Sequence, residues 1–335
     1  MKSLNLKKII YVGLVSFSMV LASLAASSTK TSVTVAITQI VPHPSLDLIR
    51  KGIEDELKEQ KIECDILFEN AQGNIAIATQ IAQKFVSLNP NVIVPITTPS
   101  TQAVYAAAHS QNIPVVFAAV NDPVAAKLVP SKDKAGKGIT GLSDLPPVAE
   151  QVALIQEISP GAKKIGVVYS PGESNSVALL ESFEKILAQK DMTLSRATAA
   201  NMVDVTAVTK SLVGKVDAIY IPNDNTVVAA LESLIKVTRE NEIPVFCADP
   251  ESVKQGCLAA VTHSQYGLGR QAGKMVAKVL KGTDIEKLPI ETPAEVELSL
   301  NQDTAKALNI TFPEAVLARA QHIIKKEERN YAPAS

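Results

Sequence analysis

Six short polar segments hold most of the residues in this chain that could bind a small charged ligand. They are rich in Ser, Thr, Asn and Asp, and three occur in each half of the chain: residues 39–44, 97–101, 121–123, 171–176, 223–226 and 249–252. Such residues also cap helices, because their side chains satisfy the free N–H groups of a first helical turn. Capping is the simpler interpretation for any one segment. Six clusters at corresponding places in two halves favour a binding site.

The six clusters differ in charge. Hydroxyl and amide groups predominate in Thr97–Thr101 and Ser174–Ser176, next to predicted helix N-termini, where a carboxylate or another anion is favoured. Three aspartates at other predicted strand ends suit an ammonium group: Asp122, Asp224 and Asp249. A ligand with both charges would be held at both ends, so the pattern favours a zwitterionic amino acid over a sugar. Asp before Pro also forms turns, which leaves a purely local role open for Asp122 and Asp249.

The sequence contains no motif of a common enzyme class. A Gly-x-Ser-x-Gly elbow, a Walker loop, a His-Glu-x-x-His motif and a Cys-x-x-Cys pair are all absent. The four histidines are scattered, and only His43 falls in a polar cluster, either as a wall of the site or as a solvated loop residue. Gly267–Gly273 has the small residues of a dinucleotide loop, but their recurrence along a predicted helix favours close packing of that helix on a sheet. We therefore predict no enzymatic activity, no cofactor and no metal site.

Length and charge allow two domains and give no indication of a nucleic-acid partner. The chain has 335 residues, enough for two domains of ordinary size. Its 33 basic and 34 acidic residues give a net charge of −1 and are spread without long runs of one sign. Neither nucleic acid nor a charged membrane surface is therefore expected as a partner.

Residues 1–26 have the pattern of a secretory signal peptide. Three lysines precede an apolar stretch, Ile9–Leu24, and small residues follow from Ala25. A retained membrane anchor is the alternative, but the stretch is shorter than the ~20 residues that a membrane span needs. Residues 1–63 contain no cysteine that could carry a lipid anchor. We expect the signal to be cleaved and the protein to be exported, which in a bacterium means the periplasm.

The three cysteines, Cys64, Cys247 and Cys257, are an odd set, so at least one thiol is free or pairs between molecules. Cys64 and Cys257 lie in apolar runs, which favours buried free thiols. A Cys247–Cys257 disulfide would suit an oxidising compartment, and spacing alone leaves it open.

The order of apolar runs and amphipathic stretches is repeated in the two halves of the chain. The first repeat begins at Val33 and the second opens with a helix at Val148. Apolar runs of 4–8 residues alternating with helical patterns indicate parallel βαβ units. We therefore predict an α/β fold of two similar lobes, each a doubly wound parallel sheet. Since the functional loops of such sheets lie at the carboxyl ends of the strands, the cleft between the lobes is the expected site.

Three crossings of the chain between the lobes are predicted, and together they would form a hinge. Lobe 1 is expected to comprise residues 33–144 and 258–283, and lobe 2 residues 145–257 and 284–325. The apolar run Leu258–Thr262 is thus predicted to return to lobe 1 with the helix that follows it. Near the end of the chain, Pro313–Lys325 is predicted to be a helix.

With these residues in view, the chain resembles the periplasmic substrate-binding proteins of ABC transporters, and in particular the tryptophan/tyrosine (aromatic amino acid) binding proteins. The resemblance extends from about Val33 to Ile310 and is carried by residues 39–44, 46–52, 70–74, 81–86, 114–126, 141–144, 174–176, 212–226 and 267–271. It implies the type I binding-protein fold with a three-segment hinge, no catalysis, and a membrane permease and an ATPase as partners. We expect a monomer that captures a small molecule in its cleft.

The resemblance also implies which residues form the ligand site. Carried over by position, they are Gln39, Thr98, Ser100 and Asp122 from lobe 1, and Ser174, Asn175, Asn223, Asp224, Asn225 and Asp249 from lobe 2.

The identity of the ligand is less constrained than the class of protein. Aromatic residues make up 4% of the chain and include no tryptophan. A wall that stacks on an aromatic ligand would therefore come from residues such as Phe117, Tyr169, Tyr220 or Tyr266, each of which could instead pack in a core. An aliphatic amino acid, a sugar or another small metabolite stays open. A transcriptional regulator with the same two-lobed core is disfavoured, because residues 1–32 show a signal pattern in place of a DNA-binding head.

Overall fold

The computed structural model describes residues 33–293 and 296–325, and the strands in this part of the chain form two sheets. The first sheet consists of β1 (Val33–Gln39), β2 (Cys64–Asn70), β3 (Val92–Ile96), β4 (Val115–Val120) and β5 (Ile139–Ser143). The second consists of β6 (Lys164–Tyr169), β7 (Thr193–Thr198), β8 (Ala218–Ile221), β9 (Val245–Cys247), β10 (Ala259–His263), β11 (Val296–Asn301) and β12 (His322–Ile324). The predicted signal peptide, residues 1–26, lies outside the described residues.

Helices connect most of these strands. They are α1 (Pro44–Glu59), α2 (Ile75–Leu88), α3 (Thr98–Ala108), α4 (Val148–Ile158), α5 (Ser174–Ala188), α6 (Val205–Lys210), α7 (Asn225–Ala229), α8 (Leu231–Glu240), α9 (Pro250–Lys254), α10 (Gln265–Leu280), α11 (Gln302–Ala307) and α12 (Glu314–Ala318). Short 3₁₀ turns occur at Met202–Asp204 and Ile285–Lys287. We call the first sheet with α1–α3 and α10 the first lobe, and the second sheet with the remaining helices the second lobe.

The two sheets are built almost wholly from parallel pairs. The first has the order β2-β1-β3-β4-β5 and the second the order β12-β11-β10-β9-β8-β6-β7. Among the described strands of the second sheet, only β10 and β11 run antiparallel to each other. Strands β3, β4, β8 and β9 are buried throughout, as expected for continuous apolar runs in a sheet that is covered on both faces. The predicted α/β fold with two parallel-sheet lobes is confirmed.

One predicted lobe boundary is wrong because a strand keeps its place in the second sheet. Strand β10 pairs with β9 on one side and β11 on the other, so it does not return to the first lobe as predicted for Leu258–Thr262. Only α10, which follows it, packs into the first core, through Leu268, Ala272 and Met275. The crossing therefore falls at the end of β10. The residues of a short apolar strand do not indicate which sheet the strand will join, because that depends on the strands that pair with it.

The return crossing is also displaced from its predicted position at residue 284. Thr140 Oγ1 donates a hydrogen bond to Leu288 O (2.8 Å), and Ser143 N donates one to Glu291 O (2.9 Å). Residues up to Glu291 thus run beside β5 in the first lobe, and the chain returns between Glu291 and Val296. At the end of the described chain, the helix predicted over Pro313–Lys325 is shorter than expected. Helix α12 ends at Ala318, and β12 then pairs in parallel with β11.

Three glycines allow helices α1 and α10 to touch backbone to backbone. A Cβ atom on Gly269 would lie 2.1 Å from Ile49 O, and one on Gly52 would lie 2.5 Å from Tyr266 O. A Cβ on Gly273 would lie 2.7 Å from Glu56 Cβ. The glycine-rich segment Gly267–Gly273 is therefore part of a helix that packs tightly, and its main partner is helix α1. This contact fixes α10 to the first lobe immediately after the crossing.

We predict that Gly269→Ala destabilises the protein by about 1–3 kcal/mol, the usual effect of overpacking a filled core. The clash is with the backbone of α1, which a side-chain rotation cannot relieve. Urea and thermal unfolding would measure the change. Gly161→Ala is the matched control, since a Cβ atom there meets nothing within 4 Å. Equal stability of the two variants would contradict the close packing of α1 on α10.

The three thiols are free in the described structure, so there is no Cys247–Cys257 disulfide. Both of these cysteines are buried, and Cys64 is partly buried. Burial raises the pKa of the Cys247 thiol, which favours the unreactive protonated form. No helix among the described residues is both long and apolar enough to cross a membrane.

Candidate functional site

A cavity lies between the two lobes, at the carboxyl ends of their strands. It contains about 500 Å³ of empty space, including the part that is open to solvent. We call it the cleft cavity. The residues that line it are Val41, His43, Ser45, Leu46, Thr97, Thr98, Ala119, Asn121, Asp144, Asn175, Asn223, Asp224, Asn225, Val228, Asp249 and Gln265.

The structure brings six of the ten predicted site residues together around the cleft cavity. They are Thr98, Asn175, Asn223, Asp224, Asn225 and Asp249. All six lie in loops or first helical turns that follow β3, β6, β8 and β9, as the strand-end argument requires.

The other four predicted residues do not line the cavity. Gln39, at the end of β1, is buried and donates from Nε2 to Val41 O (3.1 Å). Ser100 is buried within the first turn of α3. Asp122 accepts at Oδ1 from the backbone N–H groups of the turn that follows it, and Ser174 accepts at Oγ from Gln102 of the opposite lobe (3.4 Å).

Several buried polar atoms in the same clusters have no hydrogen-bond partner among the described residues. Four belong to the cavity lining: Thr97 Oγ1, Thr98 Oγ1, Asn121 Nδ2 and Asn175 Oδ1. Two further unpaired atoms, Ser100 Oγ and Gln39 Oε1, belong to predicted site residues that do not line the cavity. The remaining ones lie outside the lining: Thr38 Oγ1, Arg50 Nε, Thr262 Oγ1 and Gln302 Oε1. Buried polar atoms are nearly always paired in proteins, and each unpaired one costs about 1–3 kcal/mol. Their concentration around one cavity is what a site shows when its ligand supplies the missing partners.

The N-terminus of helix α3 is open to an anion. Its N-cap residue, Thr97, makes no side-chain capping bond, and its backbone is held at φ 82°, ψ 160°, a region that a β-branched residue rarely adopts. Ala119, which also lines the cavity, has φ 55°. Strained backbone of this kind clusters at functional sites. The helix dipole and the unpaired hydroxyls of Thr97 and Thr98 point to a subsite for a carboxylate.

Two of the cavity aspartates are occupied by the protein's own donors. Asp224 caps α7 through Val227 N (3.0 Å) and also accepts from Ser170 N and Ser176 Oγ, each at 2.7 Å. Asp249 caps α9 and accepts twice from Ser252, at 2.7 Å from the backbone and 2.6 Å from the hydroxyl. Both carboxylates therefore have the capping role that the sequence left open.

Burial and the neighbouring Glu173 carboxylate raise the pKa of Asp224 to about 7. Glu173 itself accepts four hydrogen bonds from Asn225 and Thr226, two from each residue, and so completes the first turn of α7.

Side chains of the two lobes are in contact across the cleft. Ser45 Oγ on α1 donates to Asp249 Oδ1 of the second lobe, and His43 Nε2 lies 3.8 Å from Asp249 Oδ2. Gln102 and Ser174 form a second link. The lobes are thus closed over the cavity.

The aromatic residues considered from the sequence do not form a stacking wall. Phe117 and Tyr220 are fully buried in the cores, and the Tyr220 ring stacks on Phe183 with centroids 4.1 Å apart. Tyr266 donates to Asp55 on α1 (3.0 Å). Neither these residues nor Tyr169 lines the cleft cavity, whose apolar lining is aliphatic: Val41, Leu46, Ala119 and Val228.

Five polar residues of the lining were not in the predicted set, namely Ser45, Thr97, Asn121, Asp144 and Gln265; His43 had been left open. Thr97 and Asn121 lie in polar clusters and Ser45 directly adjoins one, so these three could have been included on that ground. Asp144 and Gln265 lie on the crossings between lobes. Asp144 belongs to the segment 141–144 that carries the family resemblance but was not carried over into the site, and no local pattern in the sequence marks Gln265.

Comparison with known proteins identifies the family. The pattern of the family described as "ABC transporter substrate binding protein" matches residues 34–324. The chain belongs to this family. Its members bind solutes and are not enzymes. A tyrosine-binding protein of Clostridioides difficile is 36% identical over 280 residues, which cover 82% of this chain and 81% of the relative.

Two solved structures of similar proteins define the fold and the arrangement of the lobes. An ABC domain from Streptococcus pneumoniae in complex with L-Trp is 33% identical and superposes with a TM-score of 0.83, covering 87% of this chain and all of that one. A ligand-free, open substrate-binding protein from Clostridium difficile is 32% identical with a TM-score of 0.67, covering 88% and 100%. The fold of the family is thus the type I binding-protein fold that was predicted. Because the two identities are nearly equal, the difference in TM-score agrees with the closed lobes seen across the cleft.

The raised pKa of Asp224 leads to a prediction about stability and pH. Since the carboxyl binds its proton more tightly in the folded chain, the folded state holds more protons than the unfolded state between about pH 4 and 7. The free energy of unfolding should therefore fall as the pH rises through this window, by at most about 1.4 kcal/mol per pH unit from this group. In Asp224→Asn the free energy of unfolding should fall less steeply with pH. Urea unfolding at several pH values between 4.5 and 7.5 would measure both slopes.

Asp217→Asn serves as the control for this prediction. Hydrogen bonds from Lys163 N and Lys164 N lower the pKa of Asp217, so its titration lies below the window. Parallel curves for the native protein and Asp224→Asn would contradict the assignment.

Proposed function

We propose that this protein is the exported capture component of an ABC importer and that its ligand is a hydrophobic amino acid, with aromatic amino acids as the first candidates. The single observation that carries the proposal is the set of unpaired buried hydroxyl and amide atoms beside buried carboxylates in one closed cavity. Neutral donors at the N-terminus of α3 suit a carboxylate, and the aspartates suit an ammonium group. The aliphatic lining suits an apolar side chain.

The family supports this class of ligand. The similar tyrosine-binding protein and the structure with L-Trp carry amino acids that combine both charged groups with a large apolar side chain. The absence of aromatic rings from the described lining favours contact with aliphatic groups over stacking, so leucine and similar amino acids are the second candidates. The predicted site residues Gln39, Ser100, Asp122 and Ser174 are proposed to support the cavity from behind its lining. A permease and an ATPase in the membrane would receive the ligand.

A ligand screen tests this proposal. We expect L-tyrosine, L-tryptophan or L-leucine to raise the melting temperature of protein lacking residues 1–26, and D-glucose to leave it unchanged. Binding to the folded state alone adds about 2.7 kcal/mol of stability at a ligand concentration of 100 Kd. A shift with glucose and none with the amino acids would favour the sugar-binding alternative and overturn the proposal.

Thr98→Val separates a ligand contact from a structural role in the same experiment. Because Thr98 Oγ1 is buried and has no hydrogen-bond partner in the described part of the chain, the variant should be as stable as the native protein or more stable when ligand-free. Its affinity for the amino acid should nevertheless fall about tenfold. Thr79→Val is the matched control, on an exposed position of α2. A loss of stability without a loss of affinity would assign Thr98 to the fold.

Export with removal of the N-terminus is a separate part of the proposal. Substrate-binding proteins of importers act outside the cytoplasm, and residues 1–26 have the signal pattern described above. We expect the mature protein to begin near Ala25 and to be recovered from the periplasm without detergent. Intact-mass measurement decides this, and a protein that retains Met1 would contradict cleavage.

A further inference from the structure

Asp144 differs from the other two aspartates of the cleft cavity in its hydrogen bonding. It follows β5 directly, is 3% exposed, and accepts one side-chain hydrogen bond from the described residues, at Oδ1 from His263 Nδ1 (2.7 Å). A carboxylate has about four acceptor positions. Asp224 and Asp249 each already accept three hydrogen bonds. Asp144 therefore has the largest remaining capacity to accept hydrogen bonds inside the cavity.

Two hydrogen bonds hold the chain in place at Asp144. Asp144 N donates to Val120 O (2.9 Å), and the preceding residue, Ser143, donates from Oγ to Asn121 O (2.9 Å). These bonds connect Asp144 to the loop that carries Asn121. The Nδ2 atom of Asn121 is buried and has no acceptor among the described residues. A ligand carboxylate and a ligand ammonium would thus find complementary groups on neighbouring parts of one lobe.

His263 holds the Asp144 carboxylate from another crossing of the chain. It ends β10, is 8% exposed, and lies immediately before the turn into α10. Its backbone carbonyl accepts from Gln265 Nε2 (3.1 Å), which also lines the cavity. No described residue donates a hydrogen bond to the other oxygen of Asp144. A bond such as that from His263 Nδ1 fixes a side chain in the geometry that a ligand needs.

We propose that Asp144 binds the ammonium group of the ligand and that His263 is a positioning residue that orients Asp144 across the hinge. This assignment rests on the proposed function and specifies the group that recognises the amine. A buried charge must be paired to be tolerated, and an ammonium group supplies three donors that can reach a carboxylate with free acceptor positions. The competing interpretation is that the hydrogen bond between Asp144 and His263 only stabilises the hinge, by connecting two of the crossings between the lobes.

The test compares each amino acid with its analogue that lacks the amine. Calorimetry would measure L-tyrosine against 3-(4-hydroxyphenyl)propanoate, L-tryptophan against indole-3-propanoate, and L-leucine against 4-methylpentanoate. We expect Asp144→Asn to lower the affinity for the amino acid about 10- to 100-fold, the range for a lost charge-assisted hydrogen bond. The affinity for the analogue should stay the same or rise, because it has no ammonium group to lose a partner and its carboxylate no longer meets the charge of Asp144. Asp217→Asn, an acid-to-amide change away from the cavity lining, should alter neither.

Variants of His263 give a second readout that does not depend on the folding of Asp144→Asn. His263→Leu should lower the affinity for the amino acid and spare the analogue. His263→Asn should restore most of it, because the amide Nδ2 can donate from nearly the position of Nδ1.

The outcomes separate this proposal from the proposed function. Native protein that binds none of the three amino acids would overturn both. If the native protein binds the amino acids, but the Asp144 and His263 variants lose affinity equally for amino acid and analogue, the pair acts in the hinge alone. That result would overturn only this proposal. Unchanged affinity in all variants would do the same.

Discussion

The response of the cleft to a ligand depends on buried polar groups that have no hydrogen-bond partner among the residues the structure describes. Thr97, Thr98, Asn121 and Asn175 each contribute such an atom to the cavity lining. With each costing about 1–3 kcal/mol, closing an empty cleft is opposed by several kcal/mol. The contacts of Ser45 with Asp249 and of Gln102 with Ser174 offset part of this. A ligand that pairs with these atoms makes all of its contacts only in the closed form. The resulting difference in affinity between the closed and open forms shifts the population towards closure.

The helix pair α1–α10 connects this cleft to the hinge. The N-terminus of α1 carries His43 and Ser45, which meet Asp249 of the opposite lobe. The middle of α1 lies against α10 at Gly52 and Gly269, where the backbones touch. Helix α10 begins right after the crossing at the end of β10. Because glycine contacts of this kind leave no room for sliding, the end of one crossing and one rim of the cleft move as a single body. Closure then concentrates its backbone changes in the crossings themselves.

The architecture and the edge of the sheets that carries the site could be predicted from the sequence. The position of a residue whose partners are distant along the chain could not. Periodic apolar runs are local, so they identified the strands of both sheets except β12, which lies in a segment predicted to be helical. The sheet that receives β10 depends on β9 and β11, and its own five residues are compatible with either lobe. Asp224 and Asp249 were found because they stand in polar clusters at strand ends. Asp144 was missed because its neighbour His263 is 119 residues away.

The charge of the cavity lining sets a further limit on the ligand. Among the described residues that line it, three are aspartates and none is lysine or arginine. A ligand with a net negative charge would therefore meet three aspartates and no lysine or arginine in the lining, in a site where burial strengthens repulsion. A zwitterion avoids this penalty because its own ammonium group accompanies its carboxylate. Neutral donors at the start of α3 are then sufficient for the carboxylate, as a helix N-terminus can hold an anion without a basic side chain. The selection of an amino acid over a simple carboxylic acid thus follows from what the cavity lacks as well as from what it contains.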